Sequence, residues 1–245
     1  MHVDIGLIGG TGIGDRFAKF GGKLLHIPTP CGILRGNLVV LGGRSVLLMR
    51  RHSNGHKVPP HKVNYAAMSL GLKAVGATCC FATAAVGSLR EDWPGGTKVV
   101  CDEFVDLSFR NPTLFNRTVV HTDFSNPFGT RTSAALITAA NSLKIEVETG
   151  GTYVCGNGPR YETPAEIKAY KALGGDIVGM TAATEAILMR EVGIDYGCLA
   201  VVTNLASGIS LTSLSHEEVV EEMERSGATS VRLLEKAIEI VELGK

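Results

Sequence analysis

Residues 156–166, GNGPRYETPAE, place an aromatic ring and a carboxylate on a loop that leads straight into a helix. The glycine and proline residues exclude a regular strand or helix over the first half of this segment. Thr163, followed three residues later by Glu166, predicts a capping box that fixes the loop to the helix start. Tyr161 and Glu162 would then be held rigidly. An aromatic face and a hydrogen-bond acceptor held in this way suit a planar, nitrogen-rich ligand such as a purine. The alternative is a surface loop with an incidental Tyr–Glu pair.

A glycine-rich segment, residues 8–14 with the sequence IGGTGIG, follows the first predicted strand. Glycine lets backbone N–H groups approach an anion closely, and Thr11 adds a hydroxyl donor. Small-anion binding, a purely structural turn and a dinucleotide loop are all compatible with such a segment. The dinucleotide interpretation is opposed by the spacing, which departs from G-x-G-x-x-G, and by the lack of an acidic residue after the strand-like residues 23–27.

Polar or small residues also stand at the ends of three other predicted strands. Arg51 and His52 end one of them, and an Arg fork suits phosphate while His can add a donor. Residues 83–87 are small enough for a ligand to approach the backbone, and Asn204 ends a third strand. Each has a simpler explanation: a solvated strand end, tight packing or a turn-forming Asn. His216, near the start of the last predicted helix, has a solvent-facing alternative.

The elements that must position these residues alternate between β-rich runs and helical patterns. Strands are predicted over residues 3–8, 38–41, 45–50, 79–85, 98–105, 145–155, 176–180 and 197–203, with an interruption of 145–155 at Gly150 and Gly151. Helices are predicted over residues 61–75, 132–143, 163–173, 182–192 and 215–243. This alternation predicts an α/β fold, one domain over residues 1–245, with a largely parallel sheet covered by helices on both faces. Ligands bind such sheets at the carboxyl ends of strands, where the residues above fall.

The composition limits the kinds of ligand, partner and location that we expect for this chain. The chain has 245 residues, 44% of them hydrophobic, with 24 basic and 24 acidic side chains. A net charge near zero does not favour nucleic acid, and no apolar run is long enough to predict a membrane span. The amino terminus has no signal-peptide pattern, so a cytoplasmic location is expected. Six scattered cysteines include no C-x-x-C pair, so we expect reduced thiols and no metal site.

Taken in order, these motifs resemble those of the trimeric nucleoside phosphorylases, which include purine nucleoside phosphorylase and methylthioadenosine phosphorylase. The resemblance spans about residues 5–220 and is carried by residues 8–12, 51–52, 62–65, 87–91, 158–160, 179–181 and 203–204. It implies a single nucleoside phosphorylase-like domain with a twisted, mixed sheet. It also implies a homotrimer, or a dimer of trimers, with sites near the subunit interfaces. The backbone pattern is nearest to the methylthioadenosine branch.

The resemblance also assigns roles to individual residues. It places phosphate against Thr11, Arg51, His52, Thr83, the backbone N–H of Ala85 and Thr181. It places the nucleoside against Tyr161, Glu162, Met180, Asn204 and His216, with His121 contributed by a neighbouring subunit. Asn204 and His52 would be the catalytic residues. Phosphate would attack C1′ of the nucleoside while the base leaves, with inorganic phosphate as co-substrate and no metal or cofactor.

Departures from the methylthioadenosine branch predict the substrate. Asn204 and Ala206 stand where that branch carries aspartates that accept from a 6-amino group. Glu162 and Asn204 match the branch that cleaves inosine and guanosine, because the N1–H of a 6-oxopurine can donate to Glu162 while O6 accepts from Asn204. Adenine has the opposite pattern, and mispaired buried polar groups cost about 1–3 kcal/mol each. His216 stands where methylthio enzymes have an apolar residue, which favours a 5′-hydroxyl.

We therefore predict a pentosyltransferase, a purine nucleoside phosphorylase that converts inosine or guanosine and phosphate to free base and ribose 1-phosphate in purine salvage. Two alternatives stay open, a methylthioinosine phosphorylase and a methylthioadenosine phosphorylase. A different class, a nucleoside- or anion-binding protein without catalysis, would show ligand binding but no consumption of phosphate.

Overall fold

The computed structural model describes residues 2–210 and 214–244, and this part of the chain forms an 11-stranded sheet flanked by helices. The strands are β1 Ile5–Gly9, β2 Lys23–Thr29, β3 Gly32–Leu41, β4 Arg44–Arg50, β5 Cys79–Ser88, β6 Lys98–Val100, β7 Glu103–Asp106, β8 Glu148–Thr149, β9 Thr152–Cys155, β10 Ile177–Gly179 and β11 Asp195–Leu205. The α-helices are α1 Ile13–Phe17, α2 Tyr65–Ala74, α3 Thr130–Leu143, α4 Pro164–Ala172, α5 Ala182–Glu191 and α6 His216–Ile240.

The sheet is mixed, in agreement with the expected fold class. Its main path runs β2-β3-β4-β1-β5-β10-β9-β7, and β11 branches from β5 towards β6 and β8. The central strands β4, β1, β5 and β11 are mutually parallel, whereas β2, β3 and β4 form an antiparallel meander. β10 runs antiparallel to β5 but parallel to β9. The central strands are buried on both faces, which explains their nearly continuous apolar sequences.

Helices cover both faces of the sheet. On one face, α2 and α5 pack over a core that includes Leu72 and Met189. On the other, α3 and α6 pack together over a core that includes Leu136 and Leu233. Among the described residues, no helix combines the length and the apolar character needed to cross a membrane.

Capping residues in the sequence correctly predicted where α4 and α6 begin. Thr163 and Glu166 form the predicted capping box of α4. The Ser215 hydroxyl accepts from the N–H of Glu218 at the start of α6. The helix predicted from residue 61 instead begins at Tyr65, because Asn64 caps it through the N–H of Ala67 and the preceding residues form a short 3₁₀ turn.

One strand prediction erred where two short strands adjoin. Residues 98–105 form two strands, because β6 pairs with β11 whereas β7 pairs with β9. The alternation of β-rich residues is the same on both sides of this break, so the change of partner leaves no mark in the sequence. The interruption predicted at Gly150 and Gly151 is confirmed, because β8 and β9 lie on either side of this pair.

The central strand β5 changes its partner along one edge. Cys79–Ala82 pair with β1, and Gly87–Ser88 pair with the antiparallel β10. The other edge is occupied by β11 along its whole length. No strand in the described chain therefore pairs with residues 83–86 on the first edge. This gap in the hydrogen-bond ladder, which we call the β5 gap, leaves backbone groups open to a ligand.

Candidate active site

A cavity of about 880 Å³, including its mouth, opens at the β5 gap. The predicted residues that line it are Thr11, Arg51, His52, Ala85, Tyr161, Glu162, Met180, Thr181, Asn204 and His216. They come from the ends of β1, β4, β5, β10 and β11 and from the starts of α4 and α6, so the fold brings together residues that are far apart in the sequence.

Two of the predicted residues do not line this cavity. Thr83 is fully buried behind the wall, where its hydroxyl accepts from the N–H of Gly10 at 3.0 Å. A Cβ on Gly10 would lie 2.6 Å from the Thr83 carbonyl oxygen, so only glycine permits this approach. Thr83 thus supports the glycine-rich loop, rather than facing the ligand. His121 is exposed on the irregular segment between β7 and α3, and its predicted role in a neighbouring subunit stays a prediction.

Arg51 is held from behind by a carboxylate that the sequence did not single out. Its Nε and Nη2 donate to the two oxygens of Glu185 at 2.5 and 2.8 Å, and both side chains are 1% exposed. Its Nη1 donates to the Thr83 carbonyl oxygen at 2.8 Å. The Tyr196 hydroxyl donates to Glu185 at 2.6 Å. The carboxylate therefore fixes the plane of the guanidinium.

This arrangement decides what Arg51 can offer an anion. Burial alone lowers the pKa of Arg51, but the adjacent Glu185 carboxylate outweighs it and raises the pKa above its usual value. A guanidinium has five N–H groups, and three of them are used here, so two remain for a ligand. Because Glu185 balances the charge, an anion at this position would be held by directed hydrogen bonds more than by net charge.

His52 differs from the donor that the sequence suggested. Its Nδ1 lies 2.8 Å from the Val58 carbonyl oxygen, which can only accept, so Nδ1 carries the proton. Burial and the nearby Arg51 lower the pKa of His52 to about 4. The ring is therefore neutral near pH 7, and its Nε2 can accept a hydrogen bond but cannot donate one.

Three imidazoles, those of His52, His56 and His216, follow one another along the lining of the cavity. The ring of His56 lies 4.2 Å from that of His52 and 5.2 Å from that of His216, measured between centroids. Leu214 and Val219 line the same region. His56 was not predicted, because residues 53–57 form an irregular turn without a periodic pattern.

The other end of the cavity suits a planar base. The Tyr161 hydroxyl lies 3.5 Å from the Ser215 carbonyl oxygen, which links the loop before α4 to the start of α6. Burial raises the pKa of Glu162, whose carboxylate packs so closely on Gly156 that a Cβ there would lie 2.7 Å from it. Asn204 follows a β-bulge, and its side chain accepts from Thr203 and donates to the Leu205 carbonyl oxygen. Among the described residues the second N–H of the Asn204 amide has no acceptor, so it can donate to a ligand.

Met180 and Thr181 connect the two ends. The N–H of Thr181 donates to the Tyr153 hydroxyl at 3.2 Å. Thr181 is also the N-cap residue of α5, but its hydroxyl makes no capping hydrogen bond. The Thr181 hydroxyl can therefore bind a ligand in the cavity. No group of three or more His, Cys, Asp or Glu side chains in the described residues is arranged to hold a metal ion.

Comparison with known proteins identifies the superfamily of this chain. The family profile of the Phosphorylase superfamily matches residues 4–239. The chain belongs to the Phosphorylase superfamily. Within this superfamily it is 39% identical to the 6-oxopurine nucleoside phosphorylase of Pyrococcus furiosus, over 97% of this chain and 92% of the relative. It is 42% identical to the probable S-methyl-5′-thioinosine phosphorylase of Thermodesulfovibrio yellowstonii, over 92% and 86%.

Solved structures agree with the superfamily assignment. The methylthioadenosine phosphorylase of Schistosoma mansoni, in complex with adenine, superposes with a TM-score of 0.90 at 31% identity, covering 96% of this chain and 91% of that one. The predicted fold class and the resemblance to nucleoside phosphorylases are therefore confirmed. The chain is an enzyme, a pentosyltransferase of the nucleoside phosphorylase type.

Proposed function

We propose that this superfamily member cleaves 6-oxopurine nucleosides, inosine and guanosine, with inorganic phosphate, giving free base and ribose 1-phosphate in purine salvage. The observation that carries the proposal is that Glu162 and Asn204 line one cavity. A carboxylate accepts the N1–H of a 6-oxopurine, and the free amide N–H of Asn204 can donate to O6 or N7. The relatives named for 6-oxopurine nucleosides support this choice.

The phosphate would lie at the β5 gap. Arg51 keeps two N–H groups for it, and the hydroxyls of Thr11 and Thr181 line the same end of the cavity. The Thr83 carbonyl oxygen points towards Arg51, and because backbone groups alternate between the two edges of a strand, the N–H of Ala85 points the same way. The neutral His52 would accept from the P–OH of a hydrogen phosphate ion.

Bond making and breaking follow from these contacts. A phosphate oxygen forms a bond to C1′ while the bond from C1′ to N9 breaks and its electron pair moves onto the base. The base gains one proton overall, and the phosphate loses one as ribose 1-phosphate forms. His52 Nε2 would accept a hydrogen bond from the P–OH group, and Asn204 would stabilise the negative charge that develops on the base. Met180 would lie beside the ribose.

The second candidate is a methylthioinosine phosphorylase, because Leu214 and Val219 provide apolar surface near the cavity mouth. It keeps the base assignment and changes only the 5′ group. Methylthioadenosine, the third possibility, is opposed by the hydrogen-bonding pattern of Glu162 and Asn204. His216 favours a 5′-hydroxyl, since a thioether sulfur is a weak acceptor.

Replacing His216 with valine is expected to raise the ratio of kcat/KM for methylthioinosine to that for inosine by about tenfold. The 5′-hydroxyl loses a hydrogen-bond partner, and the methylthio group packs instead against an apolar side chain. Steady-state kinetics with both nucleosides at saturating phosphate would measure this ratio. His26→Val, an exposed substitution on β2, is the control. An unchanged ratio would mean that His216 does not contact the 5′ group.

The proposal also covers the oligomeric state, the cellular location and the need for a cofactor. We expect a cytoplasmic homotrimer, or a dimer of such trimers, in which the exposed His121 enters the site of a neighbouring subunit. The reaction needs no metal or organic cofactor, because Arg51, His52 and Asn204 supply the charge and proton contacts described above.

The test is a parallel assay of inosine, guanosine, adenosine, methylthioinosine and methylthioadenosine, with and without phosphate. Phosphate-dependent release of hypoxanthine and guanine, with little adenine, is the expected result. Preferential cleavage of methylthioadenosine would contradict the base assignment. Binding of nucleosides without consumption of phosphate would contradict catalysis altogether.

A further inference from the structure

Arg110, on the irregular segment between β7 and α3, bridges two separate walls of the cavity. Its Nη1 donates to the Met180 carbonyl oxygen at 2.7 Å and to the Thr184 hydroxyl at 3.1 Å. Its Nη2 donates to the Asn157 carbonyl oxygen at 2.5 Å, and its Nε donates to the Asn157 side chain at 3.1 Å. One planar group thus joins the start of the loop that carries Tyr161 to the residue that precedes Thr181 and α5.

Other contacts also join these walls, and Gly158 packs directly against the side chain of Met180. The N–H of Gly156 donates to the Gly179 carbonyl oxygen at 2.8 Å, and beyond this bond the loop departs from the sheet. The guanidinium of Arg110 continues the connection by one residue on each side, at Asn157 and Met180. Its donors diverge in a fixed plane, so they set both the spacing and the angle of the walls. A single ammonium group could not reach both carbonyls in this way.

The backbone around Arg110 is itself unusual. Phe109 and Asn111, its immediate neighbours, have positive φ values of 58° and 46°. For a bulky residue such as Phe this left-handed conformation is unfavourable, and it persists only where the surroundings impose it. Phe109 is 92% exposed, so within the subunit its own burial does not offset that cost. Within the described chain, this conformation accompanies the contacts of Arg110 with Met180, Thr184 and Asn157.

We propose that Arg110 is a positioning residue for the base and ribose of the nucleoside. It does not line the cavity, and so it acts through the residues that it joins, the Tyr161–Glu162 loop and Met180. The phosphate end has its own support in the pairing of Arg51 with Glu185. Arg110 should therefore govern nucleoside binding and orientation while leaving phosphate binding intact. This inference rests on the proposed nucleoside phosphorolysis.

The test compares Arg110→Met and Arg110→Lys with the intact enzyme. In Arg110→Met, KM for inosine should rise about tenfold or more at saturating phosphate, since bonds from a charged donor are lost, while KM for phosphate should change less than about twofold. Arg110→Lys should recover part of the loss, because its ammonium group can reach one of the two walls. Calorimetric titration with hypoxanthine and with inorganic phosphate should show the same division between the two ligands without turnover.

Arg131→Met is the matched control. Arg131 also joins distant backbone segments, donating to the carbonyl oxygens of Glu242 and Thr78 at 3.1 and 3.3 Å, but neither of these partners lines the cavity. This variant should keep both KM values. Unfolding midpoints of all variants would be recorded alongside the kinetics, and Arg110→Lys carries the test if Arg110→Met does not fold.

The possible failures are distinguishable. If KM for inosine and KM for phosphate rise together in Arg110→Met, or if Arg131→Met behaves like it, Arg110 has only a general structural role and the inference is wrong. An active wild-type enzyme with unaffected Arg110 variants also overturns it. A wild-type protein that cleaves no purine nucleoside contradicts the proposed function instead.

Discussion

Replacing Glu185 with alanine is expected to lower the free energy of unfolding by about 3–5 kcal/mol, the usual cost of removing one partner from a buried ion pair. The substitution would leave the Arg51 guanidinium without its counter-charge in an environment where both side chains are 1% exposed. It would also deprive the Tyr196 hydroxyl of its acceptor at 2.6 Å. Denaturant unfolding monitored by circular dichroism would measure the change.

Two further variants separate charge from shape at this position. Glu185→Gln keeps the volume and one acceptor oxygen but turns an N–H group towards Arg51, so we expect an intermediate loss of stability and a raised KM for phosphate. Glu239→Ala removes an exposed partner of Lys236 on α6 and should change the free energy of unfolding by no more than about 0.5 kcal/mol. A loss below about 1 kcal/mol in Glu185→Ala would contradict the role of this carboxylate.

Asn204→Asp should lower kcat/KM for inosine by about a hundredfold, because a donor to the departing base is replaced by a negative charge. The new carboxylate would face the Leu205 carbonyl oxygen, to which Asn204 now donates at 2.9 Å, and would line the same cavity as Glu162. An aspartate can instead accept from a 6-amino group, so the adenosine-to-inosine ratio of kcat/KM should rise. Parallel kinetics with both nucleosides would measure this ratio.

The control for charge is Asn141→Asp, an equivalent substitution at an exposed position on α3 outside the cavity. It should leave both nucleosides unaffected. If Asn204→Asp lowers activity towards inosine and adenosine by the same factor, Asn204 does not select the base, and the assignment of a 6-oxopurine pocket is wrong.

The parts of the site that sequence reasoning located all depend on local chemistry. The capping box of Thr163 and Glu166 could be recognised because its residues are three apart, and it fixed the position of Tyr161 and Glu162. Residues such as Arg51 and Asn204 could be grouped because the carboxyl ends of parallel strands meet at one edge of a sheet.

The missed parts depend on pairings between distant residues. Glu185 lies 134 residues from Arg51, and an acidic residue in the first turn of a helix that also carries Arg190 and Glu191 gave no sign of a buried partner. Arg110 lies on a segment without periodicity, so nothing marked it before its contacts were known. Thr83 was assigned to phosphate through the family resemblance, but its hydroxyl accepts from the N–H of Gly10, a contact between distant residues that the sequence does not reveal.

The β5 gap has a consequence for how such an enzyme can change over evolutionary time. The end of the cavity that we propose for phosphate is built from the ends of the central strands β1, β4 and β5, whereas Tyr161, Glu162 and His216 stand on loops and helix starts at the rim. Mutations that alter the anion end weaken the sheet itself, so few of them are tolerated. Mutations at the rim are less costly to stability, so the choice of base and 5′ group can drift while the chemistry at C1′ is retained.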